Sequence, residues 1–331
     1  MNILAFESSC DDTSVAVVKD GKEVLSLETV SQTDIHTLYG GVVPEIASRA
    51  HLEVISELTE KALKPVGLRN TDAVAVTYAP GLIGSLLVGV SFAKSLAYAH
   101  KLPLIPVHHI KGHVAGTYLT YPELKPPFIA LIASGGHTHI VKAHTYTKYQ
   151  ILGRTRDDAV GESFDKIARV LGLGYPGGPM IESAAKTGDP NSIHFPRVRF
   201  EDNPYDFSFS GVKTAVINYI HQKHQLSLDI PVSDIAAAFT DAVCDVLVNN
   251  TVKACKDHNA KKLVLAGGVS ANKTLRKKLE EECNKEKINF FAPDFRYCGD
   301  NAAMIGAQAY YEYLQNNTAS ADLNAYAVMP I

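Results

Sequence analysis

Twice in this chain a pattern of strand, polar turn, strand, turn, strand is followed, further on, by a strand that passes through a glycine-bearing turn into a helix. In the first copy, apolar runs at residues 3–6, 15–18 and 24–30 are broken by Glu7-Ser8-Ser9-Cys10-Asp11-Asp12-Thr13 and by Asp20-Gly21. Short apolar runs bounded by turn residues read as strands. Residues 73–76 then lead through Pro80-Gly81-Leu82-Ile83-Gly84-Ser85 into a helix at 86–100. In the second copy the runs are 128–133, 140–143 and 150–152, around Ser134-Gly135-Gly136-His137-Thr138. Later, residues 263–266 lead through Gly267-Gly268-Val269-Ser270 into a helix at 271–283. The echo is topological rather than residue for residue, and it predicts two similar α/β lobes arising by duplication. At 331 residues the chain is also too long for one ordinary core. The stiff Lys125-Pro126-Pro127 is the natural boundary between the lobes.

Between the copies, Val107-His108-His109-Ile110-Lys111-Gly112-His113 carries three imidazoles at the end of an apolar run. On a helix, His109 and His113 share a face with Cβ atoms about 5–6 Å apart. Two ring nitrogens could then reach one ion at about 2.0–2.1 Å. The stretch is not a zinc-protease helix, because Ile110 stands where H-E-x-x-H needs its glutamate base. A metal bound without that base would hold or polarise substrate; the alternative is a pair of ordinary helix histidines. The corner holding Asp11 and Asp12 is similarly open. It could position a metal-bound phosphate or activate a nucleophile, or its side chains could simply satisfy nearby backbone N–H groups. The glycine turns suit phosphate, but neither has the Gly-Lys-Ser/Thr of a nucleotide loop, so packing explains them equally.

Other stretches are read more simply. Residues 44–63 repeat apolar side chains every fourth position behind Pro44 and predict an amphipathic helix. Gly161-Glu162-Ser163-Phe164-Asp165-Lys166 opens a helix, whereas Tyr175-Pro176-Gly177-Gly178-Pro179 is too rigid and glycine-rich for a regular element. Residues 204–211 read as a loop and 232–258 as a long core helix. A final helix over 301–314 follows Gly299-Asp300, with Asp300 placed as its N-cap.

Composition excludes several function classes. With 46% hydrophobic and 20% charged residues the chain is of soluble globular type. A formal net charge of -3 argues against a general electrostatic nucleic-acid binder, so a nucleic-acid partner needs a local basic surface or a helper protein. Five cysteines with no C-x-x-C pair imply neither a disulfide framework nor a zinc ribbon, and a reduced cytoplasmic setting is expected. No leader pattern precedes the first strand, and no apolar stretch reaches the roughly 18 residues of a membrane span, so no membrane is expected.

Two duplicated lobes with a phosphate-directed hairpin turn in each resemble the actin-like, sugar-kinase and heat-shock ATPase superfamily. The first corner, His109-Ile110-Lys111-Gly112-His113, the Ser134 turn, the Gly161 and Tyr175 stretches, Gly267-Gly268-Val269-Ser270-Ala271-Asn272 and Gly299-Asp300-Asn301 occur in the order seen in the TsaD family. Its members are tRNA N6-adenosine threonylcarbamoyltransferases, once labelled O-sialoglycoprotein endopeptidases. The resemblance spans essentially the whole chain. It implies an α/β fold of two duplicated actin-like ATPase (ribonuclease H-like) lobes with a central cleft, at 1–125 and 126–304, with a C-terminal helix in 305–331 packing back on the first lobe. It implies one divalent metal, Fe2+ by family usage with Zn2+ or Mg2+ as in vitro substitutes, on His109, His113 and Asp300, the last brought back across the cleft. It places threonylcarbamoyl-AMP on Ile132, Ala133, Ser134, Gly135, Gly136, Asp165, Gly178, Glu182 and Asn272.

Small departures from the family pattern are Glu182 where Asp is frequent, Ser8 and Ser163 where Thr is frequent, and Ala133 at a usual Val position; none removes a metal ligand. The implied reaction moves a threonylcarbamoyl group to N6 of adenosine 37 in tRNAs reading codons that begin with A. Asp11 or Asp12 is the candidate for steering or deprotonating the amine. Expected partners are tRNA, met by clusters such as Arg154, Arg156, Arg197, Arg199 and Arg276-Lys277-Lys278, a TsaB-type paralogue docked on residues 44–63, and a TsaE-type ATPase. The alternatives are an ATP-dependent kinase or chaperone-like ATPase of the same superfamily, a metalloprotease, and a noncatalytic scaffold.

Overall fold

The computed structural model of the chain describes residues 1–331. It divides into two compact units, Met1–Pro126 with His144–Tyr149 and Pro293–Ile331, and Pro127–Ala143 with Gln150–Ala292. The first is built on β1 (Asn2–Glu7), β2 (Asp12–Lys19), β3 (Glu23–Ser31), β4 (Ala73–Ala79) and β5 (Leu104–His108), in the order β3-β2-β1-β4-β5. β1, β2 and β3 pair antiparallel, while β4 and β5 add in parallel. Parallel additions need crossover connections. Here α1 (Thr33–Thr37) and α2 (Pro44–Leu63) lie between β3 and β4, and α3 (Ile83–His100) between β4 and β5. β5 then runs without a loop into α4 (His109–Thr120).

The second unit repeats this order. β6 (Phe128–Ala133) pairs antiparallel with β7 (Thr138–Ala143), and β8 (Tyr149–Arg154) flanks β7. After α5 (Val160–Val170), α6 (Gly177–Ala185), α7 (Ser210–Gln225) and α8 (Val232–Asp257), β9 (Lys262–Ala266) joins β6 in parallel. α9 (Lys273–Lys285) leads to β10 (Asn289–Phe291), which pairs in parallel with β9. The predicted topology is therefore present in both units. α8 is long and apolar enough to cross a membrane, with mean hydropathy 1.2, contrary to the expectation that no stretch reaches that length. Its apolar character is explained by packing, since 83% of its most apolar 18-residue stretch is buried, in the unit's own core.

Side chains alternate between the two faces of a strand, and in the first unit both faces are buried. Leu4, Phe6, Val15, Val17, Val74 and Val76 form one core with Ile55 and Leu58 of α2 and Leu86 and Val90 of α3. Ile3, Ala5, Ala16, Val18, Ala73 and Ala75 form the other with α10 (Ala302–Leu314), through Ala302, Ile305 and Ala309. The second face is mostly alanine, so α10 approaches closely. A Cβ on Gly306 would stand 2.6 Å from Val18 Cγ2, and one on Gly112 of α4 would stand 2.7 Å from Ile305 Cδ1. α10 is thus packed between the sheet and α4, in the same compact unit as both histidines. The unit begins again at Pro293 rather than at 305, so Asp300 belongs with the first unit and not, as the sequence suggested, with the second.

Two local readings change. Gly177, Gly178 and Pro179 form the first turn of α6 instead of an irregular connection. Proline is tolerated in a first turn, where its missing N–H has no intrahelical partner in any case. The N-cap of α10 is Asn301, whose Oδ1 accepts the Met304 N–H at 2.9 Å, so Asp300 is not the cap.

Candidate metal centre and substrate pocket

His109 is the first residue of α4 and His113 lies one turn on, both buried. Asp300 Oδ1 is 3.5 Å from His109 Nε2 and 3.3 Å from His113 Nε2. All three ligand atoms lie within 4.8 Å of one another. Direct N–H···O bonds run at about 2.7–3.2 Å, so these separations are long for contact. They match the roughly 3.4 Å expected between neighbouring ligand atoms of a tetrahedral centre with bonds of about 2.1 Å. Neither ring nitrogen of His113 has a hydrogen-bond partner, although the residue is 1% exposed. A buried imidazole with no partner is costly, and a cation would satisfy it. The donor set of two imidazoles and a carboxylate therefore fits a divalent metal.

Behind His109 stands Glu7, at the end of β1, with Oε2 2.9 Å from His109 Nδ1. Burial pushes the Glu7 carboxyl up, but the charge and hydrogen bond of His109 outweigh it and hold it below its usual range. Burial likewise lowers the imidazole, and the charges of Glu7 and Asp300 raise it to about 9. In the adjoining corner, Asp12 opens β2 and Asp11 precedes it. Burial pushes the Asp12 carboxyl up to about 7 against a hydrogen bond from Ser31, and the charges of Asp300, Asp11 and Glu7 add to the rise. Asp12 Oδ1 is buried with no partner.

In the second unit, Gly135, Asp165, Gly178, Glu182 and Asn272 line one cavity of about 240 Å3, together with Gly161, Phe164, Pro176, Pro179, Gly268, Val269 and Ala271. The other expected residues are not in its wall. Ile132 and Ala133 are buried in β6, and Ser134 and Gly136 flank Gly135 in the turn after it. The polar lining residues also brace helix starts: Asp165 Oδ1 accepts the Gly177 N–H of α6 at 2.7 Å, Glu182 Oε1 accepts the Lys273 N–H of α9 at 2.9 Å, and Asn272 Oδ1 caps α9 by accepting the Leu275 N–H at 2.9 Å. α5, α6 and α9 begin at or beside this wall, and helix starts favour anionic groups.

The sequence matches the TsaD family, described as tRNA N6-adenosine threonylcarbamoyltransferase, over residues 23–307. The chain belongs to this threonylcarbamoyltransferase family. Proteins of that name from Clostridium botulinum (strain 657 / Type Ba4) and Caldicellulosiruptor saccharolyticus are 52% and 50% identical to it, each over 327 residues, 98% of this chain and 96% and 97% of theirs. Such relatives do not favour the kinase or chaperone alternative. Among solved structures, HypF from T. kodakarensis aligns with a TM-score of 0.66 at 15% identity, over 97% of this chain and 49% of that one. Component A of (R)-2-hydroxyglutaryl-CoA dehydratase from Acidaminococcus fermentans aligns at 0.56 and 16% identity, over 95% and 99%. These likenesses show the actin-like ATPase fold and no more.

Gly268, in a turn already expected to face phosphate, is in the wall, whereas the sequence missed Gly161, Phe164, Pro176, Pro179, Val269 and Ala271 as pocket lining, although each lies within or beside a quoted motif. Several of the cations expected to meet tRNA are engaged within the chain. Arg156 is paired with Asp202 at 2.6 Å and Asp206 at 2.8 Å, and its guanidinium lies 4.0 Å from the Phe200 ring. Arg197 pairs with Asp241 and Asp245 at 2.6 Å each, Lys278 shares the same two carboxylates at 2.5 Å, and Arg276 donates to the Ser270 carbonyl.

Proposed function

We propose that this chain transfers the threonylcarbamoyl group from threonylcarbamoyl-AMP to N6 of adenosine 37 in tRNAs that read codons beginning with A, releasing AMP. The observation that carries the reading is full-length similarity to threonylcarbamoyltransferases, in a chain whose His109, His113 and Asp300 gather three ligand atoms within 4.8 Å. A divalent metal held there, Fe2+ in this reading with Zn2+ or Mg2+ as in vitro substitutes, would supply Lewis acidity and a template for substrate oxygens.

The reaction is acyl transfer. N6 forms a bond to the carbamoyl carbon, the bond from that carbon to the phosphate oxygen breaks, AMP leaves with the electron pair, and one amine proton is removed. Gly135 and Gly136, carried at the end of Ile132, Ala133 and Ser134, offer backbone N–H groups toward the phosphate and developing negative charge, as do Gly267 and Gly268. Asp165, Gly178, Glu182 and Asn272 hold the nucleoside, and lining one cavity supports that role. Asp12 is the better-tuned candidate for the amine proton, because a carboxyl near pH 7 is matched to general-base work. Asp11 beside it is the alternative carrier.

The tRNA backbone meets Arg154 and Arg199 in preference to the cations already paired with carboxylates, Lys277 with Glu281 among them. A TsaB-type paralogue docks on α2, where Leu52 is 64% exposed and Leu38 and Tyr39, just after α1, are also exposed. A TsaE-type ATPase completes the set, acting in the cytoplasm without a membrane. The test is modification of unmodified tRNA by threonylcarbamoyl-AMP, with and without these partners. His109→Ala and His113→Ala are expected to abolish modification with the fold intact; metal and wild-type turnover retained in both variants would overturn the metal role.

A further inference from the structure

Glu7 is buried to 1% exposure, yet it is a carboxylate inside a sheet whose other β1 core positions are apolar. Its two oxygens are fully engaged. Oε1 accepts the Ser9 N–H at 2.5 Å, and Oε2 accepts the Thr77 hydroxyl at 2.7 Å and lies 2.9 Å from His109 Nδ1. Ser9 Oγ is 3.1 Å from the same ring nitrogen. The Ser9 N–H can only donate, and a carboxylate ringed by donors has no proton to offer the ring. In its neutral, cation-binding form His109 must therefore carry its hydrogen on Nδ1 and point the Nε2 lone pair at Asp300, 3.5 Å away. With the reverse tautomer an N–H would face Asp300, and a cation could not bind that nitrogen. His113 has no counterpart to Glu7, since its Nδ1 finds no hydrogen-bond partner.

We propose that Glu7, held by Ser9 and Thr77, is the positioning residue that fixes the His109 tautomer and ring plane and so sets the affinity of the first unit for a divalent cation. Carboxylates behind metal-binding histidines commonly govern affinity in this way, and their loss weakens binding by about 10–100-fold. The inference rests on the metal reading of the His109, His113 and Asp300 cluster.

The experiment titrates the full-length protein with Zn2+ against a competing chelator, for wild type, Glu7→Gln and His113→Ala. A glutamine keeps the shape of the side chain but can present an amide N–H to Nδ1 and so favour the wrong tautomer. Glu7→Gln is expected to raise the Zn2+ Kd about 10–100-fold with an unchanged far-UV circular dichroism spectrum. A second measurement does not depend on that variant folding. In the long-range 1H–15N spectrum of the zinc-loaded wild type, His109 is expected as the Nδ1–H tautomer with Nε2 on the metal. A Kd within twofold of wild type in Glu7→Gln, or His109 bound through Nδ1, would overturn the proposal. Metal lost in His113→Ala but held normally in Glu7→Gln would remove only the role of Glu7, whereas metal retained in His113→Ala would remove the metal reading beneath it.

Discussion

Burial penalises the charged form of a titratable group, and around the turn between β1 and β2 it acts on two groups of opposite kind. It lowers the imidazole of His51, which is held neutral between Thr13 Oγ1 at 2.7 Å and the Cys10 carbonyl at 2.9 Å, and it raises the Asp12 carboxyl to about 7. The neutral histidine ties α2 to the turn while the acid stays poised. Because the folded pKa of Asp12 lies above the roughly 3.9 of an unfolded aspartate, the folded state binds the extra proton. Stability from this group is present at low pH and lost as pH rises through about 7. The loss begins near the unfolded value of about 4 and is complete above about 7, so Asp12→Asn should raise the melting temperature more at pH 8 than at pH 5. If Asp12 is the base, kcat/KM of wild type should rise with pH to a plateau, with an inflection at or below 7, because a cation at Asp300 would replace repulsion with attraction. Rates measured from pH 5.5 to 8.5 decide the role: an unchanged acid limb in Asp12→Asn would assign that limb to other groups and leave Asp12 without it.

At the scale of elements, the placement of Asp300 depends on how α10 docks. The contact at Gly306 leaves no room for a side chain, and Ala5 and Ala16 keep the facing sheet low. Gly306→Val would force α10 away from Val18 and carry Asp300 with it. Overpacking of this kind costs about 1–3 kcal/mol, and the variant should lose metal content, by elemental analysis, beyond what its unfolded fraction explains. Wild-type content would show that α10 docking does not set the ligand.

The sheet strands, α2, α3, α8 and the strand-turn-helix units were legible because each is periodic and bounded by turn residues. α7 and β10 were not singled out, and the start of α6 was misread because its two glycines and proline break local propensity while Asp165 satisfies the Gly177 N–H from another helix. The spacing of His109 and His113 was visible as a helical face. Asp300 was reached only through family resemblance, since spacing along the chain says nothing about a contact made by tertiary packing, and an aspartate before a helix looks like a cap until Asn301 is seen to do that work.

The whole molecule assigns its chemistry by unit. The metal-type cluster with Glu7 and Asp12 belongs to the first, and the cavity lined by Asp165, Glu182 and Asn272 to the second. The two units share a strand order, yet the first places α4 and the second places α5, α6 and the Gly268 turn beside their candidate sites. In the proposed reading one topology supports two tasks, and lesions in the units should then separate kinetically. Gly178 lines the cavity, and a Cβ there would meet nothing within 4 Å, so Gly178→Val adds volume at the pocket with no clash at its Cβ. Its KM for threonylcarbamoyl-AMP should rise at least about tenfold, with metal content and kcat near wild type, because uniform binding is lost. His113→Ala should show the reverse, with threonylcarbamoyl-AMP binding by calorimetry close to wild type and kcat lost. If Gly178→Val lowers metal content, or if His113→Ala abolishes nucleotide binding, the assignment of one task to each unit is wrong.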